Sequence, residues 1–131
     1  MKKIWVIVLL IAFPFFTIHC NNPDEDEENP RLRVKSELTG YKLTDLIVNN
    51  QIFTGENESI LPGSFSGYKR VNPGKSLIIS YHWENTSKPD DKGDFSRITS
   101  SGEFIELVKN NQYTLIYSNK PDSPDIELIK D

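Results

Sequence analysis

Cys20 carries the only thiol of the chain, and it lies where an apolar run gives way to an acidic one. A thiol can be acylated or oxidised, can ligate a metal, or can act as a nucleophile. Since no cysteine follows Cys20, the rest of the chain can hold neither a disulfide, a cysteine-ligated metal or cluster, nor a thiol nucleophile. The strongly polar residues after Cys20 argue against a cysteine packed in an apolar core.

His82 is the one histidine that follows Cys20, so it limits the chemistry that imidazole can supply. Neither a pair of histidines nor a Cys/His pair can be assembled after Cys20. Strand alternation places His82 beside Ser80 and Glu84 on a polar face, and we interpret it as a surface residue. No catalytic residue is expected, and the protein is predicted not to be an enzyme.

Three carboxylates, those of Asp90, Asp91 and Asp94, surround Gly93 and are the candidate metal ligands of the sequence. Carboxylate oxygens are the ligands that calcium prefers. The stretch lacks the regular spacing and the closing glutamate of a calcium loop, and Lys92 lies within it. We interpret it as a polar loop between strands, and expect neither a metal nor a cofactor.

The residues ahead of Cys20 have the organisation of an export signal. Two lysines at positions 2 and 3 precede an uncharged, mostly apolar run over residues 4–18. This run is shorter than the roughly 20 apolar residues that cross a bilayer, and it contains Pro14. It therefore predicts a signal peptide over residues 1–19, with an uncleaved N-terminal anchor as the alternative.

The four residues Thr17-Ile18-His19-Cys20 resemble the bacterial lipoprotein signal in its relaxed, spirochaete-type form. Thr17 and His19 stand where the usual lipobox has leucine and a small residue. The resemblance covers residues 1–20. It implies cleavage before Cys20, a diacylglycerol on its sulfur and, in many bacteria, a further fatty acyl chain such as palmitate on its amino group. It also implies a membrane-anchored protein of the cell envelope, expected at the outer membrane.

Residues 20–30 are predicted to form an acidic tether. Five consecutive acids occupy positions 24–28, two prolines flank them, and no large apolar side chain follows Cys20 in this stretch. Such a composition cannot offset the entropy of folding, and its like charges favour extension to at most roughly 33 Å. Because an anionic leaflet repels these acids, we expect the tether to hold the domain away from the membrane surface.

Residues 31–131 have the pattern of a small all-β domain. Alternating apolar and polar side chains, separated by turn residues, predict strands. The predicted strands are residues 31–38, 41–48, 76–84, 94–99, 103–108, 112–118 and 125–130. Such spacing favours an immunoglobulin-like β-sandwich of about 7–8 antiparallel strands. With 13 basic and 14 acidic side chains, a net charge of −1, this segment is not expected to bind nucleic acid.

The sequence assigns no specific activity to this domain, so its function is expected to be binding or structural support in the envelope. Loop aromatics are the candidate contacts with a protein or another envelope macromolecule, because aromatic residues are enriched at binding hot spots. The candidates are Phe53, Phe65 and Tyr68. The alternative is a small periplasmic inhibitor or ligand-binding lipoprotein that inserts the loop of residues 56–67 into a partner.

Overall fold

The computed structural model describes residues 27–131, which form two four-stranded β-sheets packed as a sandwich. No helix occurs in this range, and so none that could cross a membrane. The strands are β1 (Arg31–Glu37), β2 (Tyr41–Val48), β3 (Gln51–Ile52), β4 (Lys69–Arg70), β5 (Ile78–Asn85), β6 (Lys92–Ile98), β7 (Gln112–Asn119) and β8 (Pro124–Lys130). The expected small all-β sandwich is confirmed.

The first sheet has the strand order β4-β1-β7-β8, and the second has the order β3-β2-β5-β6. Neighbouring strands are antiparallel with one exception. Strand β1 runs parallel to β7, from Arg31 opposite Gln112 to Glu37 opposite Ser118. This pair differs from the antiparallel expectation. Each of the eight strands pairs with at least one of the others.

The core lies between the sheets and is filled by alternate residues of the long strands. Leu32 and Val34 of β1 are fully buried, and they lie opposite Tyr113 and Leu115 of β7. The second sheet contributes Ile79 and Tyr81 of β5, and Trp83 of the same strand is partly buried against the core. Burial of such side chains stabilises the fold by about 1.5–3 kcal/mol each. The interior is thus built as the alternating pattern predicts.

The sandwich has two ends, which we name by the direction of β1. The base is the end at which β1 begins, together with residues 27–30 and the loops 49–50, 71–77 and 99–111. The apex is the opposite end, formed by the turns 38–40, 85–91 and 120–123. The short connection from β1 to β2 places the start of β2 at the apex, where Thr86 N–H donates to the carbonyl of Gly40 over 2.8 Å. Strand β5 therefore begins at the base.

Two loop segments differ from the sequence prediction. Residues 103–108, predicted as a strand, form a loop in which Leu107 alone makes an isolated bridge, to Gly74. The stretch Asn72–Lys75, whose Pro-Gly pair predicts a tight turn, forms the other side of that bridge through Gly74. Gly74 exchanges two backbone hydrogen bonds with Leu107, of 3.1 and 2.9 Å. Long-range pairing between the two loops replaces the local structure that each sequence predicts.

Residues 27–30, at the end of the predicted tether, lie against the base. Asn29 and Pro30 are buried. Arg70 Nη1 donates to the carbonyl of Asn29 over 3.1 Å and also to that of Glu27, while Val71 N–H donates to the carbonyl of Pro30 over 3.0 Å. Among the described residues, contacts with the sandwich therefore extend back to Glu27, ahead of the predicted domain start at residue 31.

A candidate binding surface around Arg33

Arg33 lies in β1, on the outer face of the first sheet. Its neighbours Leu32 and Val34 are buried, so strand alternation turns Arg33 away from the core. The parallel register places it opposite Thr114 of β7. Arg33 Nε donates to Thr114 Oγ1 over 3.0 Å, and this hydrogen bond holds the guanidinium close to the sheet surface.

The segment that precedes β4 brings two aromatic side chains to Arg33. Ser66 N–H donates to the carbonyl of Val34 over 2.7 Å, and Val34 N–H donates to Ser66 Oγ over 2.8 Å. Lys35 and Phe65 form an isolated bridge one residue away. These contacts fix the segment along β1, so that Phe65 and Tyr68 lie over its outer face with 48% and 37% of their surface exposed.

The guanidinium of Arg33 lies against both rings. Its Cζ is 4.2 Å from the ring centroid of Phe65 and 5.0 Å from that of Tyr68. The Nζ atom of Lys35 lies 5.3 Å from the same Phe65 centroid. Exposed cation–π contacts of this kind contribute about 0.5–1 kcal/mol each, and they orient side chains that would otherwise sample several rotamers.

Asp131, the residue that follows β8, completes the arrangement. Thr114 Oγ1 lies 2.8 and 2.9 Å from the two Asp131 carboxylate oxygens and donates its proton to them. The hydroxyl of Tyr68 donates to Asp131 Oδ2 over 2.7 Å, and Arg33 Nε lies 3.9 Å from the same oxygen. The hydrogen bond to this carboxylate raises the pKa of Tyr68. We call the five residues Arg33, Phe65, Tyr68, Thr114 and Asp131 the Arg33 cluster.

The chemistry of the Arg33 cluster suits binding better than catalysis. Phe65 and Tyr68 offer exposed apolar ring surface, and Arg33 is held in place before any partner arrives. The Asp131 carboxylate accepts hydrogen bonds from two hydroxyl groups and faces Arg33. Aromatic and arginine side chains are the ones enriched at binding hot spots.

The structure separates the three aromatic candidates of the sequence. Phe65 and Tyr68 come together on the surface, whereas Phe53 is buried in the core with 6% exposure. Sequence reasoning did not select Arg33 or Asp131. The alternating pattern of β1 does indicate that Arg33 lies on the polar face of a strand. The position of Asp131, in contrast, depends on the pairing of β8 with β7, which the sequence does not reveal.

The loop of residues 56–67, the candidate inhibitory loop, crosses from one sheet to the other along the side of the sandwich. Ile60 is buried and bridges Leu43 of β2, while Phe65 bridges Lys35 of β1. Gly63 N–H also donates to the carbonyl of Ser36 over 2.7 Å. The loop is therefore attached to both sheets, and residues 56–59 are its exposed stretch ahead of Ile60.

The three candidate metal ligands near Gly93 do not converge. Asp94 belongs to β6 and lies opposite His82 of β5, with 2.7 Å between Asp94 Oδ1 and His82 Nδ1. Asp91 accepts a hydrogen bond of 3.1 Å from Asn85, and Asp90 is exposed in the turn before β6. Within residues 27–131, no three His, Cys, Asp or Glu side chains are grouped closely enough to hold a metal ion.

Cys20, the leader over residues 1–19 and the tether up to residue 26 lie outside the described residues. The lipidation expected at Cys20 therefore stays a prediction from the sequence.

Comparison with protein-family models and with curated protein sequences finds no match for this chain.

Proposed function

We propose that this protein is a lipid-anchored bacterial envelope lipoprotein, held at the outer membrane through Cys20. Its β-sandwich acts as a non-enzymatic module that binds a protein or another envelope macromolecule through the Arg33 cluster. The observation that carries the binding role is the fixed placement of two exposed rings, Phe65 and Tyr68, around Arg33. The lipoprotein-like signal at residues 17–20 supports the location.

Preorganisation supports a binding surface at this position. Partners that order long side chains on association lose about 0.5–1.5 kcal/mol for each one that is immobilised. Here Thr114 and the two rings restrain Arg33, and Asp131 restrains Tyr68. The surface therefore meets a partner with part of this entropy already lost on folding.

The anchor is tested by metabolic labelling with a fatty-acid analogue in a bacterial host that processes lipoproteins. The wild-type chain is expected to incorporate the label, and Cys20→Ser, which removes the chain's only thiol, is expected not to. Both proteins are quantified by immunoblot, so that loss of label is separated from loss of protein. An unlabelled wild-type chain would contradict the lipid anchor.

The binding surface is tested with immobilised protein and two partner pools, solubilised envelope proteins and detergent-washed cell wall. The variant Phe65→Ala/Tyr68→Ala is expected to lose a ligand that the wild type retains. Leu61→Ala is the matched control, since Leu61 is 50% exposed but takes no part in the cluster. Equal retention by the wild type and the double variant would overturn the role of the Arg33 cluster, and circular dichroism confirms that each variant is folded.

A further inference from the structure

The exposed large apolar side chains of the sandwich are concentrated at its base. Those at or next to the basal loops have between 47% and 74% of their surface exposed, and they are Ile52, Ile78, Ile98, Ile105 and Val108. Among the described residues, none of the apex turns carries an exposed large apolar side chain. The two ends of the domain therefore offer different surfaces.

Part of this apolar surface comes from the outer face of the second sheet. Ile78 at the start of β5 lies directly opposite Ile98 at the end of β6, so the two side chains share that face. Further from the base, the same face carries Ser80 opposite Ser96. The outer face is thus apolar at the basal margin and polar beyond it.

The first described residues of the chain, 27–30, also lie at the base. Asn110 N–H donates to the carbonyl of Glu28 over 2.8 Å, and Arg31 N–H donates to the carbonyl of Asn111 over 3.0 Å. With the contacts of Arg70, these bonds hold residues 27–31 at the base. Only residues 21–26 separate Glu27 from Cys20, and the span is at most roughly 25 Å.

We infer that the base of the sandwich docks on the lipid surface in which Cys20 is anchored. This inference rests on the lipid anchor of the proposed function. The exposed isoleucine and valine side chains enter the headgroup region, and the apex points away from the membrane. The acids of the tether and exposed basal acids, such as Glu103 and Glu106, oppose contact with an anionic surface, whereas exposed basal cations, such as Arg31, Lys69 and Lys75, favour it.

Because the span from Cys20 to Glu27 is short, a weak intrinsic affinity of the base for lipid is enough for docking. A short linker raises the effective concentration of the attached group into the millimolar range. A surface that binds lipid only at millimolar concentration in solution therefore spends a large share of its time docked once Cys20 is anchored. Docking brings the domain to the membrane surface, whereas the acidic composition of the tether predicts a stand-off, and the vesicle experiment below decides between the two.

The single cysteine allows a direct test that bypasses cellular processing. The chain from Cys20 onward, which contains all eight strands, is coupled through Cys20 to a maleimide lipid in phosphatidylcholine vesicles, and in a second set enriched in phosphatidylglycerol. Amide hydrogen exchange is then compared between the anchored protein and the same protein with its thiol blocked. Protection is expected at residues 49–52, 72–78 and 98–109, and not in the apex turns.

The double variant Ile78→Ser/Ile98→Ser is expected to lose most of that protection while it stays coupled to the vesicles. Leu61→Ser is the control, because Leu61 is similarly exposed but lies in the loop that bonds to Ser36, away from the base. Docking is overturned if anchoring protects no basal segment, or protects the apex instead. It is also overturned if the protection appears without vesicles and rises with protein concentration, which would identify a second copy as the partner.

Coupling through Cys20 separates this inference from the proposed function. An unlabelled chain in the metabolic experiment would remove the natural anchor, while the vesicle experiment would still report whether the base has affinity for lipid. Conversely, a labelled chain whose base is unprotected on vesicles would keep the anchor and overturn the docking.

Discussion

The indole of Trp83 in β5 packs over Gly93 in β6, its direct cross-strand partner. A Cβ atom added at Gly93 would lie 2.8 Å from Trp83 Cζ2 and 3.0 Å from Cε2. The same indole meets the ring of Tyr41 edge to face, with centroids 5.5 Å apart and an interplanar angle of 86°. Trp83 is therefore held between an aromatic ring and a position where only hydrogen fits.

Gly93→Ala is expected to lower the free energy of unfolding by about 1–3 kcal/mol, since the added methyl group forces the indole or a strand to move. Urea denaturation followed by circular dichroism measures the change. Gly67→Ala is the matched control, because a Cβ there would meet no atom within 4 Å. Equal stability of the two variants would contradict the close packing of Trp83 on Gly93.

Gly93 also shows where the sequence was informative. The alternating runs predicted the long strands, and alternate residues of β5, Ile79 and Tyr81, lie in the core. The polar stretch around Gly93 predicted a loop, yet Lys92 and Gly93 already belong to β6. Pairing with β5 is a long-range effect, and it overrides the weak strand propensity of these residues.

The Arg33 cluster was harder to predict for the same reason. The sequence identifies Phe53, Phe65 and Tyr68 alike as loop aromatics, but the fold exposes Phe65 and Tyr68 and buries Phe53 in the core. Arg33 and Thr114 are 81 residues apart in the chain, and they meet because β1 and β7 pair in parallel. No local pattern encodes that pairing.

Thr54→Val is expected to destabilise the fold through the irregular part of β2. The register of β2 against β5 shifts between Thr44 and Ile47, and the buried N–H of Leu46 donates to Thr54 Oγ1 over 3.0 Å. Valine keeps the shape of threonine but removes this acceptor, so about 1–3 kcal/mol should be lost. Chemical denaturation is the measurement, and Thr44→Val on the outer face of β2 is the control, with little expected change.

Tyr117→Phe and Tyr81→Phe are expected to change stability in opposite directions. The hydroxyl of Tyr117 is buried without a hydrogen-bond partner among the described residues, whereas that of Tyr81 donates to the carbonyl of Pro121 over 2.5 Å. Removing the unpaired hydroxyl should stabilise the fold by up to about 1 kcal/mol, and removing the paired one should cost about 1 kcal/mol or more. Thermal and urea unfolding of both variants decide the point, and a loss of stability in Tyr117→Phe would show that its hydroxyl has a partner.

Stability is expected to fall at alkaline pH because the same two tyrosines resist ionisation in the fold. Burial raises the pKa of Tyr117, with a smaller contribution from Tyr81, and burial followed by the charge of Asp122 raises the pKa of Tyr81. In the unfolded chain both ionise near pH 10, so above that pH the unfolded state binds fewer protons than the folded state and is favoured. Each tyrosine should contribute a loss of up to about 1.4 kcal/mol per pH unit, measured by urea unfolding between about pH 8 and about pH 11.

Tyr117→Phe removes one of the two groups, so its free energy of unfolding should decline less steeply with pH than that of the wild type. An identical slope would show that Tyr117 does not keep its proton in the fold.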